Sequence, residues 1–173
     1  MNMTDCMIDL ETLGNTPQTP VISLGAVFFN PETKQMGPTF YMAIDVSEQI
    51  DRGRKPTGDT IKWWLSQSDA AKRVFHEQAK PAAFVLQTFA TWLKANNPKA
   101  FVWGNGSTFD ISILEDMYRD YKQPLPFGYT KVMDLRTFKR FKGSKEQIKK
   151  SGVAHNALDD ALAQAQYVME NSL

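Results

Sequence analysis

Two carboxylates near the start of the chain are the first residues whose types and spacing could do chemistry. Asp9 and Glu11 alternate with apolar residues in the stretch 7–14, Met-Ile-Asp-Leu-Glu-Thr-Leu-Gly. In an extended strand both carboxylates therefore project from the same face. Two like charges side by side repel unless a cation lies between them, and hard divalent ions prefer oxygen ligands. The pair indicates half of an Mg²⁺ or Mn²⁺ site, although an isolated acidic pair is more often an exposed strand edge.

Two later stretches could supply the other half of such a site. Asp110 is predicted to lie in the first turn of a helix that follows a short apolar strand, where the helix dipole favours a carboxylate. His155 stands in a polar turn before the last predicted helix, and Asp159 and Asp160 follow in its first turn. Spacing alone does not choose between these two aspartates.

Together these groups match the needs of phosphodiester hydrolysis by a two-metal mechanism. One ion would lower the pKa of a bound water, and His155, which titrates near neutrality, would take its proton. A second ion would stabilise the leaving 3′-oxygen and the charge that develops on the phosphoryl group. The residues therefore predict an enzyme with two Mg²⁺ or Mn²⁺ ions as cofactors.

The composition is that of one ordinary globular domain, predicted to span residues 1–173, with 42% hydrophobic and 23% charged residues. The net charge of +1 excludes a generally basic nucleic-acid-binding protein, so a polyanion would have to bind to a local patch. The chain begins without the basic and apolar regions of a secretory signal, and no apolar run approaches the length of a membrane span. We therefore expect a cytoplasmic protein with no membrane contact.

Hydrophobic periodicity predicts a three-strand meander, then helices, and then two further strands. The strands are expected at 5–11, 21–29, 39–45, 100–103 and 130–135. The helices are expected at about 57–67, 69–78, 81–96, 107–122 and 156–171. This order favours an α/β architecture in which helices flank a mixed five-stranded sheet.

These acidic and histidine motifs resemble those of DnaQ-like 3′–5′ exonucleases of the DEDD superfamily, in its histidine-bearing DEDDh branch. The matches are Asp9 and Glu11 followed by Thr12 and Gly14, then Phe109-Asp110 with Ile113-Leu114, and finally His155-Asn156-Ala157-Leu158-x-Asp160-Ala161. The resemblance covers residues 5 to about 170 and implies a ribonuclease-H-like fold. Trp63-Trp64 and Gly104-Asn105-Gly106 are similar to a small standalone subgroup from phages and bacteria, described as 3′–5′ exoribonucleases.

The resemblance implies a role for each motif residue. The metal ligands would be Asp9, Glu11, Asp110 and Asp160, with His155 as the general base. The family pattern thus favours Asp160 over Asp159. The apolar side chain of Leu13 would support the terminal base, and main-chain groups around Thr12 and Leu13 would face the last nucleotide. The expected substrate contacts are Thr12, Leu13, Gly14, Asn105, Trp64 and Arg136, although Asn105 lies five residues before Asp110 where many relatives have four.

The substrate is expected to be a single-stranded or 3′-overhanging RNA or DNA end, with RNA favoured by the subgroup resemblance. The segment 131–150 carries eight basic residues against two acidic ones, including Arg136, and could bind a phosphate backbone or simply be solvated. Trp63 and Trp64 cannot face the same way on a helix, so one could stack on a base, with packing of both in the core as the alternative. The resemblance also allows a homodimer.

Two other functions remain open from the residues alone. A haloacid-dehalogenase-like phosphatase is one, because Asp9-x-Glu11-x-Leu13 loosely resembles an Asp-x-Asp-x-Thr nucleophile motif and the pair at 159 and 160 could serve as its acidic pair. That assignment gives His155 no role. A catalytically inactive nucleic-acid-binding module is the other, and it would have no reason to keep all four carboxylates and the histidine.

Overall fold

The computed structural model describes residues 3–143, 148, 152 and 155–172. Its centre is a mixed five-stranded sheet with the strand order β3-β2-β1-β4-β5. The strands are β1 (Asp5–Thr12), β2 (Val21–Asn30), β3 (Gln35–Ala43), β4 (Phe101–Gly104) and β5 (Val132–Asp134). The first three form an antiparallel meander, whereas β4 runs parallel to β1 and β5 parallel to β4. The predicted mixed sheet is confirmed.

Helices cover both faces of this sheet. They are α1 (Val46–Asp51), α2 (Gly58–Leu65), α3 (Asp69–Lys72), α4 (Ala82–Asn96), α5 (Asp110–Asp120), α6 (Leu135–Lys142) and α7 (Ala157–Asn171). Short 3-10 turns at Arg73–His76 and Tyr129–Lys131 complete the regular structure among the described residues. No helix in these described ranges is long and apolar enough to cross a membrane.

The alternation of side chains along β1 decides which face each residue serves. Cys6, Ile8 and Leu10 belong to the core that also contains α4 and α5 side chains. Met7 points to the opposite face and packs in the cluster that α7 covers. Asp9 and Glu11 follow Met7 at two-residue spacing, so β1 presents both carboxylates on the α7 side of the sheet. The expected separation of the acidic face from the apolar face is confirmed.

Two helices were not predicted, and one was predicted too long. Helix α1 has six residues, too few for a periodic pattern, and its amino end is capped by the Asp45 carboxylate. The basic helix α6 begins with the Asp134 carboxylate accepting a hydrogen bond from the Thr137 N–H, 2.7 Å away. The helix expected at 69–78 is α-helical only through Lys72 and then tightens into a 3-10 turn.

Strand β3 begins at Gln35, four residues earlier than expected. Gly37 and Pro38 favoured a turn in that stretch. Because β3 lies at the edge of the sheet, Pro38 does not interrupt a central ladder, and an edge strand tolerates both residue types.

Candidate active site

The missing side chain of Gly25 allows α7 to approach the acidic end of β1. Gly25 pairs with Asp9 across the β1–β2 ladder. A methyl group at this position would overlap the backbone of Ala157 and Leu158, in the first turn of α7. Glycine is therefore required here by close approach of a helix to a strand, not by an unusual backbone angle. The contact brings the start of α7 directly over the carboxylates of β1.

Asp110 is held by two backbone N–H groups from different elements. Its Oδ1 accepts a hydrogen bond from Leu10 N–H in β1 at 3.2 Å, and its Oδ2 accepts one from Asn105 N–H at 3.1 Å. The residue is only 2% exposed and occupies the first turn of α5. Asp110 is thus fixed beside β1, and the main-chain N–H of Asn105 helps to orient its carboxylate.

The amino end of α7 supplies the remaining groups. Asn156 caps the helix by accepting hydrogen bonds from the N–H groups of Leu158 and Asp159. Ligand atoms of Glu11, His155 and Asp160 all lie within 4.8 Å of one another. The carboxylate of Asp159 instead lies against Gly152, so close that a Cβ at position 152 would overlap it unless the Asp159 side chain moved. The structure therefore separates the two aspartates, with Asp160 on the side of β1.

His155 has a left-handed backbone conformation, with a φ of 63°. Its ring lies edge-to-face against Trp63, with ring centroids 4.7 Å apart, and 6.3 Å from the ring of Trp64. A non-glycine residue at positive φ is uncommon and is found disproportionately at functional sites. The aromatic contacts from α2 restrict where the imidazole can lie.

All five predicted catalytic and metal-binding residues line a single cleft of about 170 Å³. The complete lining is Asp9, Leu10, Glu11, Asn105, Phe109, Asp110, Arg136, His155 and Asp160. Residues separated by more than 140 positions in the chain are thus brought together by one strand end and two helix starts.

Burial and mutual repulsion dominate the electrostatics of this cleft. The pKa of Asp9 is raised well above its ordinary value by burial, and further by the charges of Asp110 and Glu11. Burial also raises the pKa of Asp110 to about 7, although hydrogen bonds from the backbone and the charge of Arg136 oppose this rise. Without a bound cation, ionising these carboxylates at the same time is energetically unfavourable.

The residues fit a divalent metal site by their donor chemistry. Carboxylate oxygens predominate, as Mg²⁺ and Mn²⁺ prefer, and one imidazole lies at the edge of the group. A bound cation would relieve the repulsion that raises the pKa of Asp9. The arrangement can hold metal ions beside the imidazole of His155.

Arg136 reaches the cleft from α6. A Cβ at Gly106 would lie 3.1 Å from the Arg136 guanidinium, and Gly106 itself has a φ of 101°. Asp134 links this helix to the loop before α5 by accepting hydrogen bonds from the N–H groups of Ser107 and Thr137. These bonds lower the pKa of Asp134 although its partial burial opposes them. Arg136 is thus held beside Asp110, where its positive charge acts on that carboxylate.

The predicted substrate contacts around the end of β1 have mainly internal partners. The hydroxyl of Thr12 donates to the carbonyl of Gly14, and Gly14 packs tightly against Thr19. The N–H of Leu13 donates to Pro20 and its carbonyl accepts from Thr57 N–H. The main-chain N–H and carbonyl of Leu13 thus have partners within the protein, and the expectation that main-chain groups around Thr12 and Leu13 face the last nucleotide stays a prediction.

The side chain of Leu13, in contrast, faces an apolar cavity of about 320 Å³. The cavity is also lined by Ile61, Trp64, Leu65, Lys72 and Phe75. Trp64 is 3% exposed and its indole N–H donates to the carbonyl of Thr12 at 2.8 Å, whereas Trp63 is 41% exposed. The ring of Trp64 thus lines the cavity from a buried position, the exposed ring of the pair is that of Trp63, and the substrate contact expected at Trp64 stays a prediction.

Sequence reasoning missed one residue that contacts an acidic side chain directly. Gln164, one turn after Asp160 in α7, donates from its Nε2 to Asp9 Oδ1 at 2.7 Å. A glutamine within the otherwise apolar stripe of Ala161, Ala165 and Val168 was the available signal.

The basic segment 131–150 is described only in part. Three of its basic residues, Lys145, Lys149 and Lys150, lie outside the described residues.

A protein-family model matches residues 4–171, and it is described as the 3′–5′ exoribonuclease Rv2179c-like domain. The chain belongs to this family. A phage T4 protein named exodeoxyribonuclease is 28% identical over 133 residues, which cover 70% of this chain and 58% of the phage protein. The Rv2179c-like chain therefore aligns with little more than half the length of that curated relative.

Solved structures share the fold at low sequence identity. The nuclease domain of 3′hExo, a DEDDh family member bound to rAMP, has a TM-score of 0.66 at 18% identity and covers 95% of this chain and 89% of its own. An E. coli ExoI–ssDNA complex has a TM-score of 0.70 at 14% identity and covers 98% of this chain and 40% of its own. The Rv2179c-like chain thus has the ribonuclease-H-like exonuclease fold that its motifs imply.

Proposed function

We propose that this protein is a metal-dependent 3′→5′ exonuclease that releases nucleoside 5′-monophosphates from single-stranded or 3′-overhanging ends. The observation that carries the proposal is the convergence of Asp9, Glu11, Asp110, His155 and Asp160 on one cleft. Membership in a family described as 3′–5′ exoribonucleases supports it independently. The phosphatase alternative has no comparable support, because it leaves His155 without a role.

The carboxylates would hold two Mg²⁺ or Mn²⁺ ions, with Asp9 and Glu11 from β1, Asp110 from α5 and Asp160 from α7. The bound ions would supply Lewis-acid activation of water and neutralise charge on the phosphoryl oxygens. His155 would take the proton from the attacking water at one of its ring nitrogens. Restriction of the imidazole by Trp63 keeps this base beside Glu11 and Asp160.

The surroundings of the cleft suggest how the end of a strand would bind. The Arg136 guanidinium would contact a phosphate next to the one that reacts, because arginine binds phosphate oxygens through two parallel hydrogen bonds. The apolar cavity beside Leu13 would take the terminal base, and the exposed ring of Trp63 offers a stacking surface. A duplex end would have to separate before its last base reached this cavity.

The activity test uses a 5′-labelled RNA oligonucleotide incubated with purified protein and Mg²⁺. We expect a ladder of products shortened from the 3′ end, together with nucleoside 5′-monophosphates. The matched variant is Asp9→Ala, which should remove the activity. Undiminished digestion by that variant would contradict the assignment, and release of inorganic phosphate from a monoester without chain shortening would support the phosphatase instead.

We further propose that RNA is preferred over DNA. The family description favours RNA, whereas the curated relative is named for DNA, so the sugar is the question that the experiment must answer. Matched RNA and DNA oligonucleotides of one sequence, single-stranded and with 3′ overhangs, should be digested in Mg²⁺ and in Mn²⁺. We expect faster shortening of RNA in both metals. Faster shortening of DNA would reverse the preference without affecting the assignment as an exonuclease.

A further inference from the structure

We infer that Gln164 is a positioning residue that orients Asp9 for metal binding. This inference rests on the proposed function. It starts from the 2.7 Å hydrogen bond between Gln164 Nε2 and Asp9 Oδ1, which joins the last helix to the first strand. Ligating carboxylates are commonly held by outer hydrogen bonds of this kind, and their partners tune metal affinity.

The chemistry of the two groups fixes the orientation of the amide. When it binds a metal ion, Asp9 is an ionised carboxylate that only accepts hydrogen bonds, so the NH₂ end of Gln164 faces it. The reverse orientation would place the amide oxygen against a carboxylate oxygen. The Oε1 atom must therefore point away from Asp9 into the packed interface between α7 and the sheet.

That amide oxygen is buried and has no hydrogen-bond partner within the described part of the chain. Gln164 as a whole is 4% exposed and lies on the inner face of α7 beside Ala161, Ala165 and Val168. A buried acceptor without a partner destabilises the folded state, and an apolar side chain of similar size would avoid this penalty. Stability alone therefore does not account for glutamine at this position.

The need to hold the Asp9 carboxylate with a hydrogen-bond donor does account for glutamine at position 164. Asp160 and Gln164 are four residues apart, so one face of α7 carries both a cleft carboxylate and the donor that holds Asp9. With Oδ1 engaged by the amide, the carboxylate plane of Asp9 cannot rotate freely about its last bond. Helix α7 thus completes the site directly through Asp160 and indirectly by fixing a carboxylate that belongs to β1.

The experiment compares Gln164→Met with the wild-type protein and with Gln166→Met. Methionine keeps the length and bulk but has no donor, and Gln166 lies on the exposed face of the same helix, paired with Glu170. Two quantities are measured without substrate: the Mn²⁺ dissociation constant by calorimetry, and the unfolding midpoint in EDTA. The kcat and KM for a 3′-ended oligonucleotide at saturating metal are then determined.

We expect Gln164→Met to weaken Mn²⁺ binding by about 10- to 100-fold. Its kcat should fall while KM changes little, and its unfolding midpoint in EDTA should equal or exceed that of the wild type. Gln166→Met should leave all these quantities unchanged. Gln164→Asn, which retains the amide but shortens its reach, should share the metal-binding defect and decides the question if the methionine variant does not fold.

Wild-type Mn²⁺ affinity and kcat in a folded Gln164→Met protein would overturn the inference and leave glutamine as a filler of the helix–sheet interface. The proposed function would survive that result. A wild-type protein that neither binds Mn²⁺ nor shortens oligonucleotides would instead overturn both proposals. The metal titration of the wild type therefore separates the two failures.

Discussion

The molecule contains two groups of charged residues that differ in how their charges are balanced. In the first, the Arg54 side chain is 4% exposed and its guanidinium pairs with Asp116 at 3.1 Å. The same guanidinium donates to the carbonyls of Thr19 at 2.9 Å and Pro17 at 2.7 Å. In the second group, the cleft, carboxylates face one another, and the pKa of Asp9 is raised by burial and further by the charges of Asp110 and Glu11.

The contrast distinguishes a structural cluster from a functional one. Around Arg54 the protein balances its own charges, and the result ties the loop after β1 to the middle of α5. Among the described residues that line the cleft, carboxylates predominate, the charge of Arg136 acts on Asp110, and a bound cation would neutralise negative charge further. Buried ionisable side chains occur in both groups, so the excess of negative charge, not burial alone, marks the cleft as the active-site candidate.

The largest expected effect separates two adjacent aspartates. Asp160→Asn should lower the exonuclease rate by about a thousandfold, because it removes a charge from the cleft where charge stabilisation matters most. Asp159→Asn, whose side chain lies against Gly152, should retain a rate within about twofold. Initial rates on a 3′-ended RNA in Mg²⁺ measure both. Equal losses in the two variants would contradict the assignment of Asp160 alone to the cleft.

The compensated cluster predicts a large change in stability instead. Arg54→Met should lower the free energy of unfolding by about 3 kcal/mol, because it removes a buried donor from the partly buried Asp116 and from the carbonyls of Pro17 and Thr19. The control is Arg119→Met, which removes an exposed ion pair to the same Asp116 and should cost less than about 1 kcal/mol. Urea denaturation measures the two. Similar losses of unfolding free energy in the two variants would mean that the buried position of Arg54 adds nothing to stability.

The acidic cleft predicts a gain of stability when the charge of a buried carboxylate is removed. In EDTA, Asp9→Asn should unfold a few degrees above the wild type at pH 8, measured by thermal denaturation. The hydrogen bond from Gln164 can still reach an amide oxygen at this position. Added Mg²⁺ should stabilise the wild type and not the variant, so the order of the two midpoints should reverse.

The pH dependence of that difference follows from the raised pKa of Asp9. At low pH the group is protonated in the folded and the unfolded state, and the variant has no advantage. Above the ordinary aspartate pKa of about 4, the unfolded chain ionises first, so the stability of the wild type falls as pH rises. The fall ends once the folded group ionises at its raised pKa. A constant difference between wild type and variant at every pH would contradict this account.

The smallest expected effect concerns the cation of the cleft. Arg136→Gln should raise KM for RNA by about tenfold and change kcat less, because a charged hydrogen bond to phosphate is lost. Lys142→Gln is the matched control, since Lys142 lies on another side of α6 over the ring of Phe138. Steady-state kinetics at low and high salt measure both. Equal KM changes would show that the whole basic helix attracts RNA without a specific contact.

Most of the sheet followed from the residues because its signals are local. Alternating apolar residues mark β1 and β2, and a helix of 15 residues such as α7 shows several turns of an apolar stripe. Helix α1 was missed because six residues with one fully buried side chain carry no periodicity. Helix α6 was missed because its polar, basic sequence depends on the Asp134 cap and on packing of Leu135.

The residues of the candidate site likewise fall into those that the sequence identifies and those that only the structure reveals. Asp9, Glu11, Asp110, His155 and Asp160 could be named from residue types, order and a family resemblance, because phosphodiester chemistry with metal ions demands those groups. The sequence left open which of Trp63 and Trp64 has the exposed ring, since a helix alone does not show which of two neighbouring tryptophans faces the core. Gln164 was missed because its partner is 155 positions away in the chain.

The sequence by itself thus determined which reactive side chains the protein contains and on or beside which strand or helix each lies. It also determined that Asp9 and Glu11 share one face of β1. Only the tertiary structure decided distances and partners. Close approach at Gly25 brings α7 over β1, the contact with Gly152 separates Asp159 from Asp160, and the Gln164 amide holds Asp9. Residue types and local periodicity carry the first kind of information. The second kind arises from packing between elements far apart in the chain, which a local pattern does not encode.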